Sequence, residues 1–148
     1  MHADQIALNR VSERIIGCAF TVLNTLGAGF LEKVYENALA YELCKAGLAV
    51  LQQYGMVVRY DGIDVGEYAV DLLVEDAVLV ELKAVRALDD IHRAQCLNYL
   101  KATGLHLCLL INLRQATPRS EAHRTLPLKH WPYLRTSACI CGFIFLLL

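Results

Sequence analysis

The fold is decided by the stretch Y-A-V-D-L-L-V-E-D-A-V-L-V-E-L-K-A-V, residues 68–85. Two apolar, strand-like runs are joined at E-D, and each is interrupted by charge: Asp71 in the first, Glu81 and Lys83 in the second. A lone carboxylate in an apolar strand is destabilising by several kcal/mol unless something pairs with it. We therefore expect these three charges to face one another or a ligand.

The spacing of the charges predicts that they share one patch. Alternate residues of a strand share a face, so Glu81 and Lys83 point the same way. A hairpin centred on Glu75 and Asp76 places Asp71 roughly opposite Glu81. Two carboxylates side by side repel unless a cation lies between them, and two oxygen ligands with open positions suit Mg²⁺ or Mn²⁺ rather than zinc. The lysine would orient or deprotonate an attacking water, or offset charge on a phosphate, so the pattern indicates phosphodiester hydrolysis.

A simpler interpretation of the same residues is that Lys83 pairs with Glu81 or Asp71 on a solvated strand face. A bare D-x9-E-x-K spacing arises often by chance. The flanking sequence V-L-V-E-L-K-A-V is apolar on both faces, which favours an interior strand.

Composition indicates one globular domain without a global basic field. The chain has 148 residues, 56% of them hydrophobic, with 14 Lys and Arg against 15 Asp and Glu. A polyanion would therefore be bound by a local patch or a metal. The six cysteines lack the paired spacing of a zinc site and no secretory leader is visible, so we expect a cytoplasmic protein with reduced thiols and no membrane association.

Apolar periodicity and turn residues predict eight elements in the order α-α-β-β-β-β-α-β. A hairpin turn is predicted at Asp61-Gly62, and Asp89 or Asp90 is expected to cap the third helix. The predicted helices cover residues 4–26, 30–46 and 89–103, and the predicted strands cover residues 48–53, 56–60, 65–74, 77–85 and 106–113.

The third helix carries a polar stripe. His92, Gln95 and Tyr99 are spaced i, i+3 and i+7, so they lie on one side of the helix. Gln95 and Tyr99 would donate to phosphate oxygens and His92 would touch substrate. An ordinary solvated helix face is the alternative.

The second helix begins with a further polar group. Glu32 and Tyr35 lie one turn apart behind Gly29, at a helix start where a carboxylate is favoured by the helix dipole. Glu36 also lies one turn from Glu32, and either acid is a candidate to turn inward. A helix-start acid with a surface pair is the alternative.

Together these motifs resemble the GxxExxY proteins, a group within the PD-(D/E)xK nuclease superfamily. The name-giving motif stands here as Gly29, Glu32 and Tyr35, and the resemblance covers about residues 6–113, including V-E-L-K-A-V and I-H-R-A-Q-C-L-N-Y-L-K-A-T-G. It implies an α/β fold of the α+β type, with a restriction-endonuclease-like core in which helices flank a mixed central sheet. It also implies a nuclease dependent on Mg²⁺ (or Mn²⁺), with nucleic acid, DNA above all, as its partner.

The resemblance implies roles for particular residues. The implied metal ligands are Asp71, Glu81 and the backbone carbonyl of Leu82. Lys83 is implied at the attacking water, and Glu32 as the catalytic acid that comes from a preceding helix. The implied substrate-binding residues are Gln95, Tyr99, His92 and Tyr35. A catalytically weak or inactive nucleic-acid-binding or structural member of the same fold is the alternative.

The resemblance stops after Asn112. Relatives continue with F-G and a short basic strand such as L-E-V-K-R, whereas this chain continues L-R-Q-A-T-P-R-S-E-A-H-R-T. Codons for residues 113–124 can be chosen that, read one base later, encode F-G-K-P-R-L-E-V-K-R-T. We hypothesise a nuclease-like domain over residues 1–113 and a frameshift-derived tail over residues 114–148.

Overall fold

A computed structural model describes residues 2–114 and the backbone of two short strands near the C-terminus, 139–140 and 144–147. The helices are α1 His2–Leu26, α2 Glu32–Lys45 and α3 Asp90–Thr103. The strands are β1 Val50–Tyr60, β2 Ile63–Val74, β3 Val78–Lys83, β4 Leu107–Asn112, β5 Cys139–Ile140 and β6 Ile144–Leu147.

The strands form one mixed sheet in the order β1-β2-β3-β4-β6-β5. β3 and β4 run parallel, with α3 as the crossover between them, and the other neighbouring pairs are antiparallel. The predicted fold class, a mixed sheet flanked by helices, is confirmed.

Two tight turns connect the strands of the β1-β2-β3 meander, and the β1–β2 register shifts by one residue between Val58 and Arg59. Both central residues of each turn are left-handed, with φ of 52° and 78° at Asp61 and Gly62 and of 53° and 50° at Glu75 and Asp76. Such turns match the right-handed twist of the strands they join. Both turns lie where the sequence predicts them.

The strand at the edge of the meander differs from the prediction. The runs 48–53 and 56–60 were predicted as two strands, but they belong to one strand, β1. Tyr54 and Gly55, which lie between the two runs, pair with Val70 and Ala69 of β2. A continuous partner strand therefore overrides the break that the sequence indicated.

The two faces of the sheet are covered by different helices. Val80 and Leu82 of β3 belong to the core formed with α1 and α2, whereas Leu79 belongs to the core beneath α3. Alternation along the strand therefore turns Glu81 and Lys83 toward the α3 side. Every residue of β4 is buried, as predicted for a strand covered on both faces.

The ends of α3 agree with the sequence. The Asp89 carboxylate accepts hydrogen bonds from the Ile91 and His92 N–H groups at 3.0 and 3.2 Å. Gly104 ends the helix in the left-handed conformation, with φ of 71°. Both ends of α3 are thus fixed, and the helix covers the face of β3 that carries Glu81 and Lys83.

The chain outside the predicted domain contributes strand β6, whose backbone pairs with β4 from Cys108–Leu147 to Ile111–Ile144. Residues 115–138 lie outside the described part, so the frameshift hypothesis stays a prediction. None of the described helices is long and apolar enough to cross a membrane. The cysteines whose side chains are described, Cys18, Cys44, Cys96 and Cys108, are free thiols, as predicted for them.

Candidate active site

The candidate site lies where β2 and β3 diverge. Their antiparallel ladder runs from the pair Val74–Val78 to the pair Leu72–Val80 and ends there. The next step of the same register sets Asp71 opposite Glu81. The structure therefore brings these two carboxylates together as the hairpin predicts.

Asp71 replaces a backbone partner in the gap between the strands. Its Oδ2 accepts a hydrogen bond of 2.7 Å from the Leu82 N–H. The N–H and C=O groups of one strand residue point to the same side, so the Leu82 carbonyl is directed into this gap as well. Lys83 instead directs its carbonyl to the other side, where it accepts from the Leu113 N–H at 2.6 Å. The Asp71 side chain and the Leu82 carbonyl thus lie on the same edge of β3.

Glu81 and Lys83 form an ion pair that is buried. Lys83 Nζ lies 2.7 Å from Glu81 Oε1, and the two side chains are 15% and 5% exposed. The pairing anticipated as the simpler interpretation is present, but it is not on a solvated face. The other carboxylate oxygen, Glu81 Oε2, is buried without a hydrogen-bond partner in the described part of the chain. A buried polar atom left unsatisfied costs about 1–3 kcal/mol, and more when charged.

The electrostatics of the cluster favour uptake of positive charge. Burial, and then the negative charge of Asp71, raises the pKa of Glu81 to about 7 despite the hydrogen bond from Lys83. Burial also raises the pKa of Asp71, against the hydrogen bond from Leu82. For Lys83 burial lowers the pKa, but the hydrogen bond and charge of Glu81 outweigh it, so the pKa lies above its ordinary value. Lys83 is therefore a cation at neutral pH, which favours offsetting phosphate charge over removing a proton.

Helix α2 brings two acids to the site. Glu32, the first residue of the helix, is exposed and accepts a hydrogen bond of 2.9 Å from the Ala84 N–H, just beyond β3. Glu36 is only 3% exposed, and its carboxylate contacts the Lys33 ammonium at 2.7 Å and the Gln53 amide at 2.8 Å. The sequence left open which acid turns inward, and in the structure it is Glu36, whereas Glu32 lies at the rim. The catalytic role that the resemblance implies for Glu32 stays a prediction.

Gln95 and Tyr99 lie together beside the carboxylates. Gln95 Nε2 is 2.5 Å from the Tyr99 hydroxyl, and Tyr99 is 4% exposed. Both line a groove of about 890 Å³ between α3 and the β1–β2 hairpin. Its lining includes Tyr68, Arg59 and Lys101 and contains no carboxylate side chain. The groove is therefore suited to an anionic, partly aromatic ligand.

His92 caps the N-terminus of α3 and does not line the groove. Its Nδ1 lies 3.2 Å from the Asp89 N–H nitrogen and 3.0 Å from Asp89 Oδ1, which completes a capping box at the start of α3. It is not among the residues that line the groove. In the structure Nδ1 of His92 therefore caps α3, and the predicted substrate contact of His92 stays a prediction.

Tyr35 is a structural residue. Its side chain is fully buried, its hydroxyl donates to the Gly27 carbonyl at 2.7 Å, and it accepts from the Phe30 N–H at 3.3 Å. The loop it holds contains Gly27 and Gly29 with φ of 70° and 112°, values that glycine adopts without strain. The predicted substrate-binding role of Tyr35 is corrected accordingly, since a buried hydroxyl bonded at both ends does not face substrate.

Two residues near the site were not predicted from the sequence. Asn112 is buried at the end of β4, and its amide exchanges hydrogen bonds with Val85 at 2.8 and 3.2 Å, which anchors the chain just after Lys83. The sequence feature that could have identified Asn112 is its position as the one amide, at the end of the apolar run L-C-L-L-I-N. Gln53 is the other residue, and its left-handed backbone within β1 gave no signal in the sequence.

The donor set fits a hard divalent cation. No three His, Cys, Asp or Glu side chains within the described part of the chain come together to hold a metal. Asp71, Glu81 and the Leu82 carbonyl would instead supply three oxygens and leave other positions to water, as Mg²⁺ prefers. Within the described residues, Glu81 Oε2 is buried without a hydrogen-bond partner, and a bound cation would provide one.

A family model for the PD-(D/E)XK nuclease superfamily matches residues 9–125, which is 117 of the 148 residues. The chain belongs to the PD-(D/E)XK nuclease superfamily. Members of this superfamily typically hydrolyse phosphodiester bonds and generally use divalent metals. No curated protein and no solved structure matches the chain.

Membership of the PD-(D/E)XK superfamily agrees with the architecture around the site. The match covers all of α2, the β1-β2-β3 meander, α3 and β4, the elements that carry the residues described above. It also continues past Leu113 to residue 125. The superfamily match and the hypothesised tail therefore overlap over residues 114–125.

Proposed function

We propose that this protein is a nuclease that hydrolyses phosphodiester bonds of DNA with Mg²⁺ or Mn²⁺ held by Asp71 and Glu81. The observation that carries this proposal is the buried carboxylate oxygen Glu81 Oε2, which has no hydrogen-bond partner in the described part of the chain and lies beside a second carboxylate. Such an arrangement is costly in a protein that binds no cation and becomes favourable when one is bound.

The metal would be held by Asp71, Glu81 and the Leu82 carbonyl. When bound, it would supply Lewis-acid stabilisation of the phosphate undergoing attack. We assign Lys83 the role of offsetting negative charge on the phosphate, because its ammonium is protonated and its side chain is largely shielded from solvent. Glu32, at the rim beyond the end of β3, is proposed to orient water through its free carboxylate oxygen.

The proposed substrate path is the groove beside α3. Gln95 would donate to a phosphate oxygen, with Tyr99 fixing the orientation of its amide. Lys101 would approach the phosphate backbone, and Arg59 would exchange its exposed ion pair with Asp64 for a phosphate. Tyr68, which is 56% exposed, offers a ring for stacking. The motif of Gly29, Glu32 and Tyr35 supports placing the chain in the GxxExxY group.

One observation favours a second function, a nucleic-acid-binding member without turnover. In the structure Lys83 is committed to Glu81, and no three acidic, His or Cys side chains gather around a metal position in the described residues. A site of this kind would retain the groove and bind DNA without cutting it.

One experiment separates these functions. Linear, circular and single-stranded DNA are incubated with the protein and Mg²⁺ or Mn²⁺, and wild type is compared with Lys83→Ala and Asp71→Ala. Lys45→Ala is the matched control, because Lys45 is an exposed lysine in the last turn of α2. We expect cleavage to fall by about 100-fold or more in the two site variants and to be unchanged in the control.

The outcomes are distinct. DNA retention without cleavage, equal with metal and with chelator, would establish the binding function instead. A folded protein that neither cleaves nor retains DNA would refute both functions. Circular dichroism of every variant shows whether the fold is intact.

A further inference from the structure

Strand β1 is irregular at Gln53, a residue that faces the site. Gln53 has a φ of 50°, a left-handed conformation that is strained for a residue other than glycine. The β1–β2 ladder pairs Gln52 with Leu72 and Tyr54 with Val70, so the interruption falls at Gln53 opposite Asp71. Conformations of this kind cost about 1–3 kcal/mol and persist where the surroundings hold them.

The irregularity changes which way the side chains point. Leu72 packs in the core beneath α1 and α2, whereas Val70, two residues earlier, packs in the core beneath α3. In a regular strand these residues would share a face. The phase of the strand therefore shifts at Asp71, whose side chain reaches sideways toward the Leu82 N–H of β3.

The Gln53 amide links two carboxylates. Its Nε2 donates to Glu36 Oε2 at 2.8 Å and to Asp71 Oδ1 at 3.4 Å. Because an ionised carboxylate only accepts hydrogen bonds, the NH₂ group of Gln53 and not its carbonyl must face both acids. Both oxygens of Asp71 are therefore held, one by the Leu82 N–H and the other by the Gln53 amide.

The buried carboxylate of Glu36 gives this amide a fixed anchor. Glu36 is 3% exposed, and its second oxygen accepts from Lys33 at 2.7 Å and from Gln52 at 3.0 Å. A carboxylate that is buried and bonded at both oxygens has little freedom to move. The Gln53 amide is thus fixed at one end and orients Asp71 at the other.

We propose that Gln53, anchored by Glu36, is the positioning residue that orients the Asp71 carboxylate for the divalent cation. A neutral amide is suited to this task because it fixes the carboxylate while leaving its negative charge available. A lysine or arginine at the same place would pair with Asp71 and compete with the cation. The proposal rests on the proposed function, since it takes Asp71 to be a metal ligand.

The decisive variant is Gln53→Gly. Glycine adopts the left-handed conformation without strain, so this change removes the amide and leaves the backbone geometry accessible. The change also removes the donor to the buried Glu36 Oε2, and relief of the backbone strain at residue 53 offsets that loss. We therefore expect the metal-free unfolding midpoint to stay close to that of wild type, while the affinity for Mn²⁺ falls by about tenfold or more. Mn²⁺ binding is measured by calorimetry and by electron paramagnetic resonance, which need no catalytic turnover.

The matched control is Gln52→Gly. Gln52 precedes Gln53 in the chain, and its amide donates to Glu36 and to Asn37 rather than to Asp71, while Lys33 holds the same Glu36 oxygen in its absence. We expect Gln52→Gly to retain wild-type affinity for Mn²⁺, and Gln53→Lys to lose more affinity than Gln53→Gly.

Failure of this inference differs from failure of the proposed function. If wild type and Gln53→Gly bind Mn²⁺ equally while both are folded, Gln53 does not position the ligand and this inference is overturned alone. If wild type binds neither Mn²⁺ nor Mg²⁺, the proposed function falls and this inference falls with it.

Discussion

In the protein without metal, we expect the free energy of unfolding to fall as the pH rises from about 5 to 8, because of Glu81. Burial and the charge of Asp71 raise the pKa of Glu81 from 4.5 to about 7 in the folded state. Between these two values the folded protein holds a proton that the unfolded chain has released. Unfolding then releases a proton, so a higher pH favours unfolding.

The magnitude follows from the size of the shift. A change from 4.5 to about 7 is roughly 2.5 pK units, which at 1.36 kcal/mol per unit corresponds to about 3 kcal/mol. The stability is fully present below pH 4.5 and is lost as the pH rises through about 7. Asp71, whose pKa is also raised by burial, acts in the same direction. Since a domain is stable by about 5–15 kcal/mol in total, the effect is large.

The assay is urea denaturation with a chelator present at several pH values between 5 and 8, on wild type and Glu81→Gln. We expect the unfolding free energy of wild type to decline by about 2–3 kcal/mol between pH 5 and 8 relative to that of the variant. Mg²⁺ at about 100 times its dissociation constant should restore about 2.7 kcal/mol to wild type at pH 8 and much less to the variant. Parallel pH profiles of the two proteins would refute the reasoning.

Further predictions concern the loop, the end of β4, the groove and the tail. Tyr35→Phe should lower the unfolding free energy by about 1–2 kcal/mol in urea denaturation and leave DNA retention unchanged, because its hydroxyl only joins backbone groups. Asn112→Ala should lower it by about 1–2 kcal/mol by leaving the partly buried Val85 N–H and C=O groups unpaired, and cleavage per folded molecule should fall as well. Lys101→Ala should weaken DNA retention and reduce its salt slope by about 1 in filter binding, whereas Lys45→Ala should not. The nucleotide sequence should encode F-G-K-P-R-L-E-V-K-R-T when residues 113–124 are read one base later, and any other reading refutes the frameshift hypothesis.

The centre of the site could be predicted from the sequence because hairpin geometry is local. The turn over residues 75–77 lies between the paired residues Val74 and Val78 and fixes the register of the strands on either side. Counting outward from the turn then sets Asp71 against Glu81, and alternation adds Lys83. No distant contact is needed for any of these steps.

The surroundings of the site could not be predicted in the same way because they depend on packing between elements. Glu32 and Glu36 are one turn apart on the same helix, and only the docking of α2 against the sheet decides that Glu36 is buried. The hydroxyl of Tyr35 is hydrogen-bonded to the loop that precedes α2, a contact that helical spacing alone does not predict. A left-handed residue within a strand, as at Gln53, has no sequence signature apart from a preference for glycine, which is absent there.

The sheet loses regular pairing at Asp71 on both of its sides. Toward β1 the ladder is interrupted between the pairs Gln52–Leu72 and Tyr54–Val70, and toward β3 it ends at Leu72–Val80. In a regular sheet the N–H and C=O of Leu82 would both be used by β2. Because β2 and β3 separate here, the Leu82 N–H donates to the Asp71 side chain instead, and the Leu82 carbonyl points into the same gap. The strands thus separate at the charged residues that interrupt the two apolar runs of the sequence. That separation leaves the carboxylates of Asp71 and Glu81 and the carbonyl of Leu82 directed toward one gap.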